Sequence, residues 1–219
     1  MRVLVTAGPT REYLDPVRFL SNGSSGQMGL AVARAAVAAG HEVMLLLGPV
    51  RRDAPKGCEV IPFVSVDDLR EALVRGFDAC DALVMTAAVG DFRPERVSPT
   101  KLPRSGGPVT LRLVPTEDLL AGVCRRKRGG QVVVAFAVQD PPEDRAAELA
   151  RAELAAKGAD YVVVNTPAAM GRGDSRACIR RVSVMSRIIP RTRLALRFCP
   201  CPANATRPWN CAHLSPSPV

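Results

Sequence analysis

The chain has 219 residues, 47% of them apolar, which suffices for one α/β domain with a full core or for a domain plus an appendage. Its net charge of +9 invites a nucleic-acid reading, yet eight arginines and no lysine or acid lie from Arg176 onward, leaving residues 1–175 with 22 basic against 21 acidic side chains; no nucleic-acid partner is expected. No apolar run reaches the roughly 18 residues of a membrane span, and a strand-like run follows Met1 at once, so no membrane association and a cytoplasmic location are expected.

Residues 2–6 read as a buried first strand, followed by a long loop over 7–25 and a helix from about Gln27 to Ala39, stopped by Gly40. Residues 42–47 form a second strand ended by Gly48-Pro49, and 60–63 a third. Ser65 with Asp67 and Asp68 predicts an N-cap and first turn for a helix to about Arg75. Residues 82–86 are a buried strand running into Ala87-Ala88-Val89-Gly90-Asp91. After a proline-rich loop, 109–114 alternate as an edge or hairpin strand, and Thr116 with Glu117 and Asp118 caps a short helix. A central strand over 131–136, a helix over 142–157 and a strand over 160–164 closed by Asn165 complete the body.

Strands alternating with helices predict a doubly wound, mostly parallel α/β sheet of Rossmann type with helices on both faces. Ligands in such sheets sit beyond the carboxyl ends of the strands, here the loops starting at Ala7, Ala87, Ala137 and Asn165. The body is expected to span 1–179. Residues 174–179 look like the start of a strand, but from 180 to 219 no period persists, and six prolines fall in the last thirty residues. That tail is expected to be irregular, either disordered or the product of a shifted reading frame or a mistaken gene end, and no part of the working domain; the sheet edge at 161–164 is then expected to be exposed. Seven scattered cysteines without a CxxC pair, and two histidines, support neither a zinc site nor a disulfide framework.

Ser24, Ser25 and Gly26 stand just before a helix, where hydroxyls and free N–H groups meet the positive end of the helix dipole; with Gly8 they suit a phosphate cradle. The same residues would also serve as a plain helix cap. The stretch is neither GxGxxG nor GxxxxGK[ST], and no Tyr-x-x-x-Lys pair is present, which disfavours an NAD(P)-dependent reductase.

The run Asp15-Pro16-Val17-Arg18, Ser21-Asn22, Ser24-Ser25-Gly26 and Met28-Gly29 resembles the motif of phosphopantothenoylcysteine synthetases. Thr86-Ala87-Ala88-Val89-Gly90-Asp91-Phe92 resembles the same family's second loop, and Lys101-Leu102 with Ser105-Gly106-Gly107-Pro108 its lysine loop. Val134-Ala135-Phe136-Ala137 and Lys157-Gly158-Ala159-Asp160 with Val164-Asn165 are similar to its later motifs, so that the likeness covers residues 2 to about 179 in order.

The resemblance implies a ligase that joins 4′-phosphopantothenate to cysteine through an acyl nucleotide, releasing pyrophosphate from CTP, or from ATP as the alternative nucleotide. It implies that Lys101 neutralises the triphosphate and Asn22 holds the acyl phosphate as catalytic residues. Asp91 would hold Mg²⁺. Ala87 and Ala88 would let backbone groups read the base, while Phe136, Asp118, Leu119, Leu120 and Lys157 contact the nucleotide. Arg18 and Asn165 would bind substrate. It also implies a homodimer through 109–114, no FMN in this segment, and a separate decarboxylase as a possible partner. Departures are Pro103 and Arg104 in place of lysines, Gln139 for a glutamate, Glu153 where a phosphate-facing lysine is often found, and the loss of the family pattern beyond 179, so a catalytically impaired nucleotide-binding homologue with a truncated C-terminus stands as the alternative.

Overall fold

The structure, a computed structural model, describes residues 1–104, 107–138, 152–153, 155–165 and 178–181. Of the expectations above, most of the 142–157 helix, Ser105, Gly106, Gln139, residues 174–177, the side chain of Asn165 and the tail from 182 lie outside the described residues.

Apolar runs buried on both faces give the central strands, as parallel strands covered by helices require. The strands are β1 (Arg2–Ala7), β2 (Arg11–Tyr13), β3 (Phe19–Ser21), β4 (Glu42–Leu47), β5 (Cys58–Pro62), β6 (Ala82–Met85), β7 (Phe92–Pro94), β8 (Leu113–Pro115), β9 (Val132–Val138), β10 (Tyr161–Asn165) and β11 (Cys178–Arg181). Seven form one sheet in the order β11-β10-β9-β6-β1-β4-β5. The six from β10 to β5 run parallel, and β11 pairs antiparallel with β10, Val163 facing Ile179. Counted along the chain, the parallel strands stand third, second, first, fourth, fifth, sixth, so strand order reverses between β1 and β6. That is the switch point where doubly wound sheets bind ligands.

Among the described residues three named helices cover the sheet, α1 (Gln27–Ala38), α2 (Val66–Phe77) and α3 (Leu119–Arg125), and residues 152–153 and 155–157 are also helical. Leu30, Ala33 and Ala36 of α1 pack with Val3, Val5, Ala7, Leu45 and Val84. On the opposite face α2 and α3 pack on Leu4, Leu46, Leu83 and Val133 through Leu69, Leu73, Phe77, Leu120 and Val123. α2 begins with a full capping box: Ser65 accepts from the Asp68 N–H, and Asp68 accepts from the Ser65 N–H.

Four expectations are corrected. The loop over 7–25 contains the hairpin β2–β3, paired from Arg11–Ser21 to Tyr13–Phe19 and stiffened by the Tyr13–Phe19 edge contact and Arg11 stacked over Phe19. The strand at 109–114 shrinks to Leu113–Pro115, because its partner β7 is three residues long and Pro94 and Pro115 supply no N–H to lengthen the ladder. Thr116 is not the cap of α3; Asp118 is, accepting from the Ala121 N–H at 2.9 Å. The edge of β10 is not exposed, because β11 covers it and runs two residues past the 179/180 division.

α1 lies so close to β1 that a Cβ on Gly29 would stand 2.4 Å from Ala7 Cβ and 2.5 Å from Thr86 Oγ1. Gly29→Ala should therefore destabilise the fold by about 1–3 kcal/mol. Gly23→Ala, where nothing lies within 4 Å, should stay within about 0.5 kcal/mol of wild type; urea unfolding of the two variants measures the contrast.

Candidate functional site

β1 ends at Ala7, and Gly8 turns the chain with φ 87°. Gly26, at the start of α1, has φ 73°. A Cβ on either glycine would stand 2.9 Å from Val50 Cγ1, so glycine at both positions lets three loops meet. α1 has no side-chain cap and no acid in its first turn, while Ser24 Oγ accepts from the Gly26 N–H at 3.3 Å. Ser24 and Ser25 share an open depression with Pro49, Val50, Arg51 and Arg52. Hydroxyls, a helix N-terminus and two guanidinium groups together favour an anion. Sequence reasoning named the serines and missed the arginines; the signal was their place directly after β4, the neighbour of β1 on the same side of the switch point.

From β6 the chain continues beside Gly8: the Ala87 N–H donates to Thr6 Oγ1 at 3.0 Å, and Thr86 Oγ1 donates to the Thr6 carbonyl at 2.6 Å. The Ala88 N–H donates to the Gly8 carbonyl, and the Thr10 N–H donates to the Ala88 carbonyl. Parallel pairing thus continues past the strand ends through a Pro9–Ala88 bridge. Backbone groups that the sequence reserved for reading a base are in part engaged within the chain. Asn22, after β3, reaches over to the same loop, its Nδ2 donating to the Val89 carbonyl at 2.9 Å. Asp91 follows with its side chain exposed.

The lysine loop is tied to the β2–β3 turn by a buried carboxylate. Asp15, 0% exposed, accepts from the N–H groups of Val17, Arg18 and Leu102 and from Arg18 Nε, and Arg18 Nη2 lies 2.6 Å from Oδ2. Arg18 Nη2 also donates to the Leu102 carbonyl at 2.6 Å. Burial pushes the Asp15 pKa up, but these N–H donors and the guanidinium outweigh it and hold the carboxyl well below the usual range. Arg18, expected to bind substrate, is therefore also a structural clamp. Lys101 lies exposed beside it, in a depression lined by Val17, Arg18, Leu102, Pro103 and Arg104.

Across the sheet, Lys157 Nζ sits 3.0 Å from Asp118 Oδ2 and 2.7 Å from Glu153 Oε1. Burial lowers the Lys157 pKa, but the two carboxylates outweigh it and raise it; burial raises Asp118, and the Ala121 N–H and Lys157 bring it down. Two residues expected to contact nucleotide are thus paired with each other. Leu119 and Leu120 point into the core, and Phe136 is half-buried against the α1-side cluster. Asn165 ends β10 opposite Val138. Burial pushes the Cys80 and Cys124 thiols up to about 11, which leaves them poor nucleophiles at neutral pH. Among the described residues no group of three His, Cys, Asp or Glu could hold a metal, and no helix is long and apolar enough to cross a membrane.

Residues 1–188 match the family of DNA/pantothenate metabolism flavoprotein C-terminal domains. The chain is 45% identical over 172 residues to the coenzyme A biosynthesis bifunctional protein CoaBC of Bacillus subtilis (strain 168), covering 78% of this chain and 41% of that protein. The chain spans less than half the length of the curated relatives it matches. A crystal structure of the C-terminal domain of a CoaBC protein superposes with TM-score 0.66 at 34% identity, covering 83% of this chain and 86% of that one. A Cab2 variant in complex with phosphopantothenate-cysteine shares the fold, with TM-score 0.67 at 18% identity over 77% and 73% of the two chains.

A carboxylate with a depressed folded pKa stabilises the fold above its unfolded value and loses that contribution as pH falls toward its folded value. Asp15→Asn should thus melt below wild type near neutrality, and the gap should close as pH falls from about 4 toward 2; melting temperatures across that range check it.

Proposed function

The chain belongs to the family of DNA/pantothenate metabolism flavoprotein C-terminal domains, and from that membership we propose that it joins 4′-phosphopantothenate to cysteine, with CTP as activating nucleotide and ATP as the alternative. The observation that carries this reading is the Asn22–Val89 hydrogen bond, which brings a side-chain amide to the loop bearing Asp91 at the switch point. A carboxylate becomes an acyl donor when its oxygen attacks the α-phosphorus and pyrophosphate leaves. The cysteine amine then attacks the acyl carbon, the bond to the nucleotide breaks, and the amine proton passes to solvent.

Each step develops or moves phosphate charge, so preorganised cations and dipoles carry most of the catalysis. The α1 N-terminus, Ser24, Ser25, Arg51 and Arg52 would receive phosphates, and Lys101 would neutralise the departing pyrophosphate. Asn22 would hold the acyl phosphate during amine attack. The exposed, single carboxylate of Asp91 fits Mg²⁺, which arrives with the nucleotide and needs one or two protein carboxylates beside phosphate oxygens and water. Mg²⁺ bound there would neutralise phosphate charge. The exposed Phe92, Val97, Val109 and Leu113 of the arm around β7 and β8 support a homodimer formed through this surface.

A second reading, nucleotide binding with weak turnover, is favoured by Glu153, which pairs with Lys157 where a second cation would otherwise face the site.

With phosphopantothenate, cysteine and Mg²⁺, the protein should release pyrophosphate from CTP. Lys101→Gln should slow that release about 100-fold or more. Asn22→Ala should spare it and slow amide formation, so that acyl nucleotide accumulates; equal loss of both half-reactions would remove Asn22 from the second step. Nucleotide binding by thermal shift without pyrophosphate release would select the second reading. Val109→Lys together with Leu113→Lys should shift the sedimentation coefficient from dimer to monomer.

A further inference from the structure

We propose that Thr10 is a positioning residue that locks the loop carrying Asp91 and the hairpin carrying Asn22 into one register; the inference rests on the ligase reading above. Thr10 is 1% exposed, so its side chain meets protein and not solvent. Each of its polar groups nevertheless reaches a different piece of the site. Its N–H donates to the Ala88 carbonyl at 3.2 Å, its Oγ1 accepts from the Gly90 N–H at 2.9 Å, and its carbonyl accepts from Ser21 Oγ at 2.6 Å. Gly90 precedes Asp91, and Ser21 precedes Asn22.

The Gly90 peptide is gripped from the other side as well. Thr116 Oγ1 donates to the Gly90 carbonyl at 2.6 Å, and the Thr116 N–H donates to the Asp91 carbonyl at 2.9 Å. A Cβ on Gly90 would stand 3.3 Å from Thr10 Oγ1, so the loop lies against the hydroxyl without slack. With its flanking peptide bonded at both ends, the Asp91 backbone has one place to be. Asn22 is tied to the same loop twice, by its own amide to Val89 and by Ser21 through Thr10. A group held through Thr10 in this way is oriented before any ligand arrives, which is the condition under which positioning lowers a barrier.

The side chain can be tested apart from the backbone bonds, which survive substitution. Thr10→Val keeps the shape and removes the acceptor for Gly90; Thr10→Ser keeps the acceptor. Thr10→Val should lower kcat about 10- to 100-fold with nucleotide KM within about twofold, and Thr10→Ser should recover most of kcat. Ser21→Ala, an exposed and conservative change, should lower kcat in the same sense by releasing the Asn22 side. Amide hydrogen exchange gives a second readout that needs no turnover: exchange at Gly90 should quicken in Thr10→Val and not in Thr10→Ser, while the central sheet is unchanged. A kcat for Thr10→Val within about twofold of wild type, or no recovery in Thr10→Ser, overturns the inference. Should the wild type release no pyrophosphate, the ligase reading fails, and the exchange experiment still decides: selective loosening at Gly90 upholds the lock, and unchanged exchange overturns it.

Discussion

The close approach of α1 to β1 at Gly29 is the constraint on which the site depends. With Gly29, Ala33 and Ala36 buried along one side of the helix, α1 settles far enough onto the sheet that its first turn meets Gly8 and the start of the loop after β6. A helix held one side-chain diameter further out would carry its N-terminal N–H groups away from both strand ends. The place of Ser24, Ser25 and Gly26 beside Gly8 is thus a consequence of packing further along the helix.

The strand ends at the switch point are stitched rather than merely adjacent. Thr6, Thr10, Thr86 and Thr116 each use a hydroxyl to bond a backbone group of a neighbouring strand or loop. Threonine suits this work because its methyl group packs in an apolar surround while its oxygen answers one buried peptide group, which would be costly to leave unmet. Asp15 does the same with a charge: it gathers three backbone N–H groups and a guanidinium, and so binds the turn of the β2–β3 hairpin to the loop that presents Lys101. Two separate networks, one neutral and one ionic, therefore hold the Asp91 side and the Lys101 side of the site.

The cations near the strand ends stand in different surroundings. At the start of α1, Arg51 and Arg52 line a depression with Ser24 and Ser25, and Lys101 lines a separate one with Arg18 and Arg104. On the far side of the switch point Lys157 is balanced by Glu153 and Asp118.

Much of the fold was legible because central strands and amphipathic helices write their burial into adjacent residues: the runs at 2–6, 42–47 and 82–86 and the Ser65-to-Asp68 cap all appear where the sequence places them. A local cause, Ser-Ser-Gly before a helix, likewise marked Ser24 and Ser25, whereas Asn22, Asp91 and Lys101 were marked by the family resemblance alone. The hairpin within 7–25, the shortening of β8 and the pairing of β11 with β10 were not legible, because each is set by which strand it meets; the start of a strand before 180 was. The same holds for Asp15, whose buried clamp on Leu102 spans 87 residues, and for Thr10, an unremarkable residue until Gly90, Ala88 and Ser21 surround it. By itself the sequence determined the alternating architecture, the switch-point loops and the residue types available for phosphate chemistry, because these follow from local periodicity and local turns. Only the tertiary structure decided which polar groups remain open to a ligand and which are already bonded, because that depends on how loops from β1, β4 and β6 meet in space.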